Sequence, residues 1–369
     1  MNKVLILSCN TGQGHNSCAQ AIKEYFVDQG VECEIADTLA FISKSFSSVI
    51  NHGHNFIYRY LPGVFRWGYQ FSEEHNAVFN EKSLVNRVLT SGIDKMYDYI
   101  KEGEYDSVIT THCLSAMILT CMQKKYEIEL QTSFVATDYT CSPSMDASDV
   151  QYYFIPDNTL AEEFTRYGIP EEKLVATGIP VRKHFLIRYK KEAAKRVLRL
   201  KADYQHVLVM CGSMGCNSIE KVVEVLVKKK LPNTEISVIC GTNKRLQRKM
   251  RRKFKKCKDI HIVGYTNKIP LYMDASDVYI TKPGGISVTE AAVKGVPMGL
   301  LNAVAGCETY NMNYFVEKGA AFTSDSMKEL AEKGVELLSM PEERYRMEQA
   351  LIEYDPDASK RIFEVLNRE

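Results

Sequence analysis

Apolar residues come in short uninterrupted runs separated by stretches of helical spacing, and the alternation begins at the third residue. Lys3 to Ser8 is such a run, after which Ala19, Ala21, Ile22, Tyr25 and Phe26 recur at helical intervals through Asn16 to Gln29. A second run, Val31 to Ala36, completes a strand, helix, strand opening. Further strand-like runs fall at Ser107 to Thr111, Thr132 to Ala136 and Gln151 to Ile155. Continuous apolar strands need both faces covered, so the pattern predicts a parallel sheet between helices.

The pattern restarts near Gln205. Strands are predicted at His206 to Cys211, Glu235 to Cys240, Ile260 to Val263, Val278 to Thr281 and Met298 to Leu301, with a helix over Asn217 to Lys229. Two doubly wound, Rossmann-like α/β domains follow, 1–182 and 183–340, with the boundary in the polar segment around Pro180 to Lys201. The closing helix, Pro341 to Leu366, is interrupted near Asp355 and Pro356, and segment 341–369 is predicted to cross back to the first domain. A chain of 369 residues has the length for two ordinary cores.

Between the second and third strands lies a long insertion, Phe41 to Phe71, which contains the single tryptophan, Trp67. Its aromatic and aliphatic residues are interleaved with Lys44, His52, His54, Arg59 and Arg66. This mixture suits either an interfacial surface that meets lipid headgroups or helices packed on the sheet.

Composition changes the picture little. At 45% hydrophobic and 25% charged the chain has a globular make-up, and 47 Lys plus Arg against 46 Asp plus Glu give a formal charge of +1. That balance excludes a globally basic nucleic-acid coat and an acidic tail, but not local patches. The eleven cysteines are scattered without a C-x-x-C pair, which indicates neither a disulfide framework nor a zinc site. The first apolar run is too short for a signal-peptide core, and no stretch approaches the roughly 20 apolar residues of a membrane span. These features predict a reduced cytoplasmic protein that can at most lie on a membrane.

Candidate chemistry gathers at the turns that leave the strands. Thr11 to Ser17 carries Gly12 and Gly14, where the backbone can approach a ligand and the following helix offers free N–H groups. It matches a degenerate dinucleotide fingerprint, with Asp37 near the ribose position, but lacks the Lys of a P-loop. His15, beside the helix start, is kept neutral there and serves either as a proton acceptor or as a cap of its own helix. Asp138 follows a strand in Ala-Thr-Asp-Tyr-Thr, where it is either a general base or a turn former, and His112 shares that address. Cys211 to Asn217 repeats the glycine turn, adding the Ser213 hydroxyl.

The most informative segment is Thr281-Lys282-Pro283-Gly284-Gly285-Ile286-Ser287-Val288-Thr289-Glu290-Ala291-Ala292. Ser287 and Glu290 have capping-box spacing, so Glu290 either ties down a helix start or accepts both hydroxyls of a ribose beside the glycines. Downstream, Glu308 and Asn311 fall on the opening turn of a helix, either gripping sugar hydroxyls or simply exposed to solvent.

Taken together these residues resemble the GT-B glycosyltransferases that include monogalactosyldiacylglycerol synthases and processive diacylglycerol glucosyltransferases. The likeness runs through Gly-Gln-Gly-His, Val-Ala-Thr-Asp-Tyr, Gly-Ile-Pro-Val-Arg at 178–182 and, most specifically, Lys-Pro-Gly-Gly-Ile-Ser-Val-Thr-Glu-Ala with Gly-Cys-Glu-Thr-Tyr-Asn. It implies two Rossmann-like domains facing a cleft, with diacylglycerol held by the first and UDP-glucose or UDP-galactose by the second. It also implies that Gly212, Ser213, Met214 and Gly215 hold the diphosphate, the Tyr265 backbone the uracil, Glu290 the ribose beside Gly284 and Gly285, and Glu308 and Asn311 the sugar. On the acceptor side stand Gly12, Gly14, His112 and Trp67, with His15 or Asp138 as base. The resemblance further implies inversion at the anomeric carbon, no metal and no cofactor beyond the UDP-sugar substrate. Cys307 stands where similar enzymes often have glutamine, which opens the choice of sugar epimer.

Lys244 to Lys258 holds ten Lys or Arg and no acid, while Leu246, Met250 and Phe254 recur every four residues. One helix with a narrow apolar stripe is predicted, its cationic face either docking on an anionic membrane or simply solvated. Nucleic acid is not an expected partner, because no reader module is present. The expected enzyme is thus a hexosyltransferase, peripheral on the inner face of the cell membrane. Transfer to an isoprenoid-linked acceptor, a non-catalytic sugar-nucleotide-binding regulator and a nicotinamide-dependent oxidoreductase are the alternatives.

Overall fold

The computed structural model describes residues 1–10, 13–50, 84–212, 218–302, 306–352 and 356–368. The chain divides into two compact units, one made of Met1–Lys183 with Val304–Cys307 and Pro356–Glu369, the other of His184–Ala303 with Glu308–Asp355.

In the first unit the described elements are β1 (Lys3–Ser8), α1 (Gln13–Asp28), β2 (Glu32–Asp37), α2 (Thr38–Ile42), α3 (Leu84–Thr90), α4 (Ile93–Glu102), β3 (Ser107–Thr110), α5 (Cys113–Tyr126), β4 (Gln131–Val135), β5 (Tyr152–Ile155), α6 (Ala161–Arg166) and β6 (Leu174–Ala176). All six strands are parallel, in the order β2-β1-β3-β4-β5-β6. Val4 to Leu7 and all of β3 are buried, as an internal strand covered on both faces requires. Leu5 and Leu7 pack with Met96, Ile100 and Leu119 from α4 and α5. Phe41, Ile42, Phe46 and Ile50, which open the long insertion, pack against this cluster, so at least that part takes the packed form. The rest of the insertion, with Trp67, lies outside the described residues.

The second unit comprises α7 (Lys191–Leu198), β7 (Gln205–Met210), α8 (Ser218–Lys228), β8 (Thr234–Ile239), α9 (Lys244–Lys253), β9 (Ile260–Val263), α10 (Ile269–Asp274), β10 (Val278–Thr281), α11 (Gly285–Lys294), β11 (Met298–Leu300), α12 (Cys307–Glu317), β12 (Ala321–Thr323), α13 (Met327–Leu338) and α14 (Pro341–Gln349). Its six parallel strands run β12-β11-β10-β7-β8-β9, which is the Rossmann order. A buried ion pair, Lys294 to Asp274 at 2.8 Å, ties the end of α11 to the end of α10. Removing one partner of such a pair costs about 3–5 kcal/mol.

The closing helix is interrupted as the pattern reading has it, into α14 in the second unit and α15 (Ala358–Leu366) in the first. The Phe363 ring meets Tyr25 and Phe26 of α1 at 5.8 and 5.3 Å, and Gln131 Nε2 donates to the Leu366 carbonyl at 3.0 Å. The basic helix α9 stops at Lys253, where Phe254 caps it by donating its N–H to Met250. Its apolar stripe is as expected: Leu246, Met250 and Phe254 are buried, and each such burial stabilises by about 1.5–3 kcal/mol.

Among the described residues no helix is long and apolar enough to cross a membrane. Strand order reverses between β1 and β3 in one sheet and between β7 and β10 in the other. At such switch points the loops leaving neighbouring strands diverge and open a crevice for a ligand.

Candidate functional site

At the switch point of the first sheet, His15 sits on the opening turn of α1, half-buried, with its ring turned to the end of β3. Nδ1 lies 2.7 Å from the Thr111 carbonyl and 3.1 Å from Thr137 Oγ1. A carbonyl only accepts, so Nδ1 carries the proton and the neutral ring keeps the Nε2 lone pair. Burial pushes the pKa of His15 below 6.5, against the opposing pull of Asp138 and of the Thr111 carbonyl. The capping alternative fails, because the ring bonds another strand's end instead of its own helix.

Asp138 lies just beyond β4, and the Thr137 hydroxyl links it to the histidine, donating to Oδ2 at 3.4 Å. Farther along that loop, Glu163 accepts from Cys141 N–H at 2.8 Å and from the Thr140 hydroxyl, fixing its course. His112 has a structural role as the cap of α5, with Nδ1 accepting from Leu114 N–H at 3.1 Å. Its ring lies 4.5 Å from that of His15, so it also walls the site. Gly14 belongs to the first turn of α1, and Gly12 falls outside the described residues. Asp37 accepts from Leu39 N–H at 3.2 Å as the cap of α2 and from Asn10 Nδ2 at 2.9 Å. The dinucleotide likeness therefore loses its ribose ligand to local structure.

The switch point of the second sheet brings together turns that are far apart in sequence. Gly212, directly after β7, has φ +64°, and a Cβ there would stand 3.2 Å from Lys282 Cε. The positive φ is what favours glycine here, while the lysine side chain can shift. Gly284 is the N-cap of α11 with no side-chain cap bond, so Ser287 and Glu290 do not form a capping box. Glu290 instead sits in the second turn of α11, 9% exposed. Glu308 and Asn311, on the opening turns of α12, are 6% and 0% exposed, which removes the solvent-exposed alternative. Asn311 Nδ2 donates to the Pro283 carbonyl at 3.0 Å, and Lys282 Nζ reaches Glu308 Oε1 at 2.8 Å. Helix α12 is thereby tied to the Lys-Pro-Gly-Gly turn.

Tyr265 follows β9, the outer strand of the sheet, and is 75% exposed. Its turn rests on the basic helix, since the Gln247 side-chain oxygen accepts from Gly264 N–H at 2.9 Å. Ser213, Met214 and Gly215 lie outside the described residues.

Two features went unread in the sequence. Lys282 is visible there as a cation at a strand end before two glycines, but its reach to Glu308 is not. Cys211 is disulfide-bonded, a single bridge that the scattered spacing does not announce, because spacing rules detect frameworks.

Residues 15–181 match the family model for monogalactosyldiacylglycerol (MGDG) synthase, and residues 206–362 that for the glycosyltransferase family 28 C-terminal domain. The chain belongs to this family of glycosyltransferases. It is 23% identical over 355 residues to the processive diacylglycerol beta-glucosyltransferase of Staphylococcus saprophyticus, covering 95% of this chain and 88% of that one. With the protein of the same name from Bacillus cytotoxicus it shares 26% over 377 residues, covering 100% and 94%. Among solved structures, MurG of Acinetobacter baumannii has a TM-score of 0.69 at 13% identity, and the UDP-GlcNAc 2-epimerase of Neisseria meningitidis bound to UDP-GlcNAc one of 0.65 at 13%, each covering all of both chains. At that identity the likeness is one of fold, and it places the glycosyltransferase among GT-B proteins.

Proposed function

We propose that the enzyme transfers glucose from UDP-glucose to the hydroxyl of 1,2-diacylglycerol with inversion, and that the two switch points divide the work. The observation that carries this reading is the second switch point, where Lys282 lies beside Gly212 and Gly284 and pairs with buried Glu308, and buried Asn311 binds the Pro283 carbonyl, with buried Glu290 on the helix that follows. Buried acceptors beside backbone that a ligand can approach suit the hydroxyls of a nucleotide sugar. Glu290 takes the ribose, Glu308 and Asn311 the hexose, and the turns from Gly212 and Gly284 the diphosphate. Tyr265 bears on the uracil only through its turn. Glucose, as against galactose, is favoured by the names of the curated relatives.

In the first unit, His15 is the base. Its Nε2 takes the acceptor hydroxyl proton as the oxygen bonds to the anomeric carbon and the bond from that carbon to the diphosphate breaks, its electron pair leaving with UDP. Asp138 stabilises the imidazolium so formed, since its charge favours the protonated ring. This step is assigned no metal, because the start of α11 at Gly284 in the second unit disperses the leaving charge.

Docking on an anionic membrane is assigned to α9 and the turn after it, where Arg245, Arg248, Arg252, Lys255 and Lys256 are exposed. Lys249 and Lys253 contribute less, being paired with Glu220. Offering a panel of UDP-sugars with diacylglycerol vesicles and weighing the lipid products tests the reading: hexosyl-diacylglycerol from UDP-glucose supports it. A product made only on an isoprenoid acceptor would replace the lipid assignment.

A further inference from the structure

Resting on the donor-site reading just given, we infer that Lys282 is the cation that receives the donor diphosphate, and that Glu308 holds it in place while the site is empty. The argument starts from charge. Two buried carboxylates, Glu308 paired with Lys282 and Glu290 on the helix that the Lys-Pro-Gly-Gly turn opens, belong to the site assigned to a ligand whose diphosphate carries about two negative charges and gains more as UDP departs. Without a cation at hand the acids would repel that ligand.

Lys282 is placed to supply it. Its backbone directly follows β10, and its side chain lies across the switch point: Cβ atoms at Gly212 and Gly284 would stand 3.2 and 3.7 Å from its Cε. The end of the lysine side chain is therefore flanked by Gly212 and Gly284, where a diphosphate can approach the backbone. Nζ pairs with Glu308 Oε1 at 2.8 Å, and the lysine side chain keeps 26% of its surface exposed against 7% for the glutamate. This geometry is that of a parked charge. Glu308 is fixed by burial, while the flexible lysine can swing from carboxylate to phosphate. When the hexose takes the Glu308 oxygens as acceptors for its hydroxyls, the lysine is released to the diphosphate beside it. The exchange preserves one ion pair per state, so the desolvated carboxylate is never left without a partner.

The experiment compares UDP with uridine as probes of the full-length protein by calorimetry. Wild type is expected to prefer UDP strongly. Lys282→Met should lower UDP affinity by about 10- to 100-fold, the range of a charge-assisted bond, and leave uridine affinity unchanged, which also reports that the variant is folded. Lys282→Arg should retain most of the preference. Glu308→Gln, which removes the partner charge, should not lower UDP affinity. Should Lys282→Met keep the wild-type preference, or Glu308→Gln reproduce its loss, the lysine merely positions Glu308 and the inference is overturned alone. A wild-type protein that binds neither probe overturns the donor-site reading and this inference with it.

Discussion

His15 shows how far one residue's surroundings decide its chemistry. The Thr111 carbonyl fixes the tautomer, and burial holds the ring neutral below its usual pKa of 6.5. Replacement by alanine should lower kcat by about 10²- to 10⁴-fold, the range for a lost general base, with UDP affinity unchanged. The pH profile follows from the sign of the shift. A base that protonates only below 6.5 leaves turnover level from neutral pH down to that value and lets it fall beneath it. Steady-state rates from pH 5 to 8 check this, and a rate that already declines between pH 8 and 7 counts against His15. Glu290 is the residue proposed to act on the other substrate. Glu290→Ala should weaken UDP-glucose binding by about 10- to 100-fold, as loss of a charged hydrogen-bond acceptor does, while kcat at saturating donor changes less. Equal losses in both variants would mean that the two residues are not divided between acceptor and donor.

At the scale of elements, most of the sheet was legible because buried parallel strands are written as unbroken apolar runs. Lys3–Ser8, Ile260–Val263 and Val278–Thr281 were read to the residue. The edge strands Leu174–Ala176 and Ala321–Thr323 were not, since three residues leave no run to detect. Helix stops were harder: the basic helix ends at Phe254, which turns into the core instead of extending the stripe. The site was legible as a set of turns, and what those turns do was not. That Gly284 and not Ser287 begins α11, and that Asn311 reaches Pro283, depend on packing between segments 28 residues apart. The charge pattern of α9 carries its own prediction. Arg252→Glu combined with Lys256→Glu should reduce binding to anionic vesicles by several-fold or more, at about 1 kcal/mol per basic residue near headgroups. Sedimentation with and without anionic lipid reads this out, and unchanged binding removes α9 from the membrane surface.

For the whole molecule, the two sheets place the candidate site residues at the switch point of each Rossmann-like unit, and the same burial that shapes them sets the acid limit of stability. His206 on β7 is buried between Ser237 and Ser276, and burial takes its pKa from 6.5 to about 3. The unfolded chain binds that proton first, so the stability His206 contributes is complete above 6.5 and lost as pH falls from there toward 3. At pH 5.5 the loss is about 1.4 kcal/mol for His206, and His15 adds to it in the same direction. Denaturant melts at pH 7.5 and 5.5 should show this decline, and His206→Asn should flatten it. The central claim, that the protein moves a hexose from UDP to diacylglycerol, is tested most directly by incubating it with radiolabelled UDP-glucose and diacylglycerol vesicles. The account predicts labelled β-glucosyl-diacylglycerol from the wild type and almost none from His15→Ala. Tight UDP binding by a wild-type protein that yields no labelled lipid would contradict it.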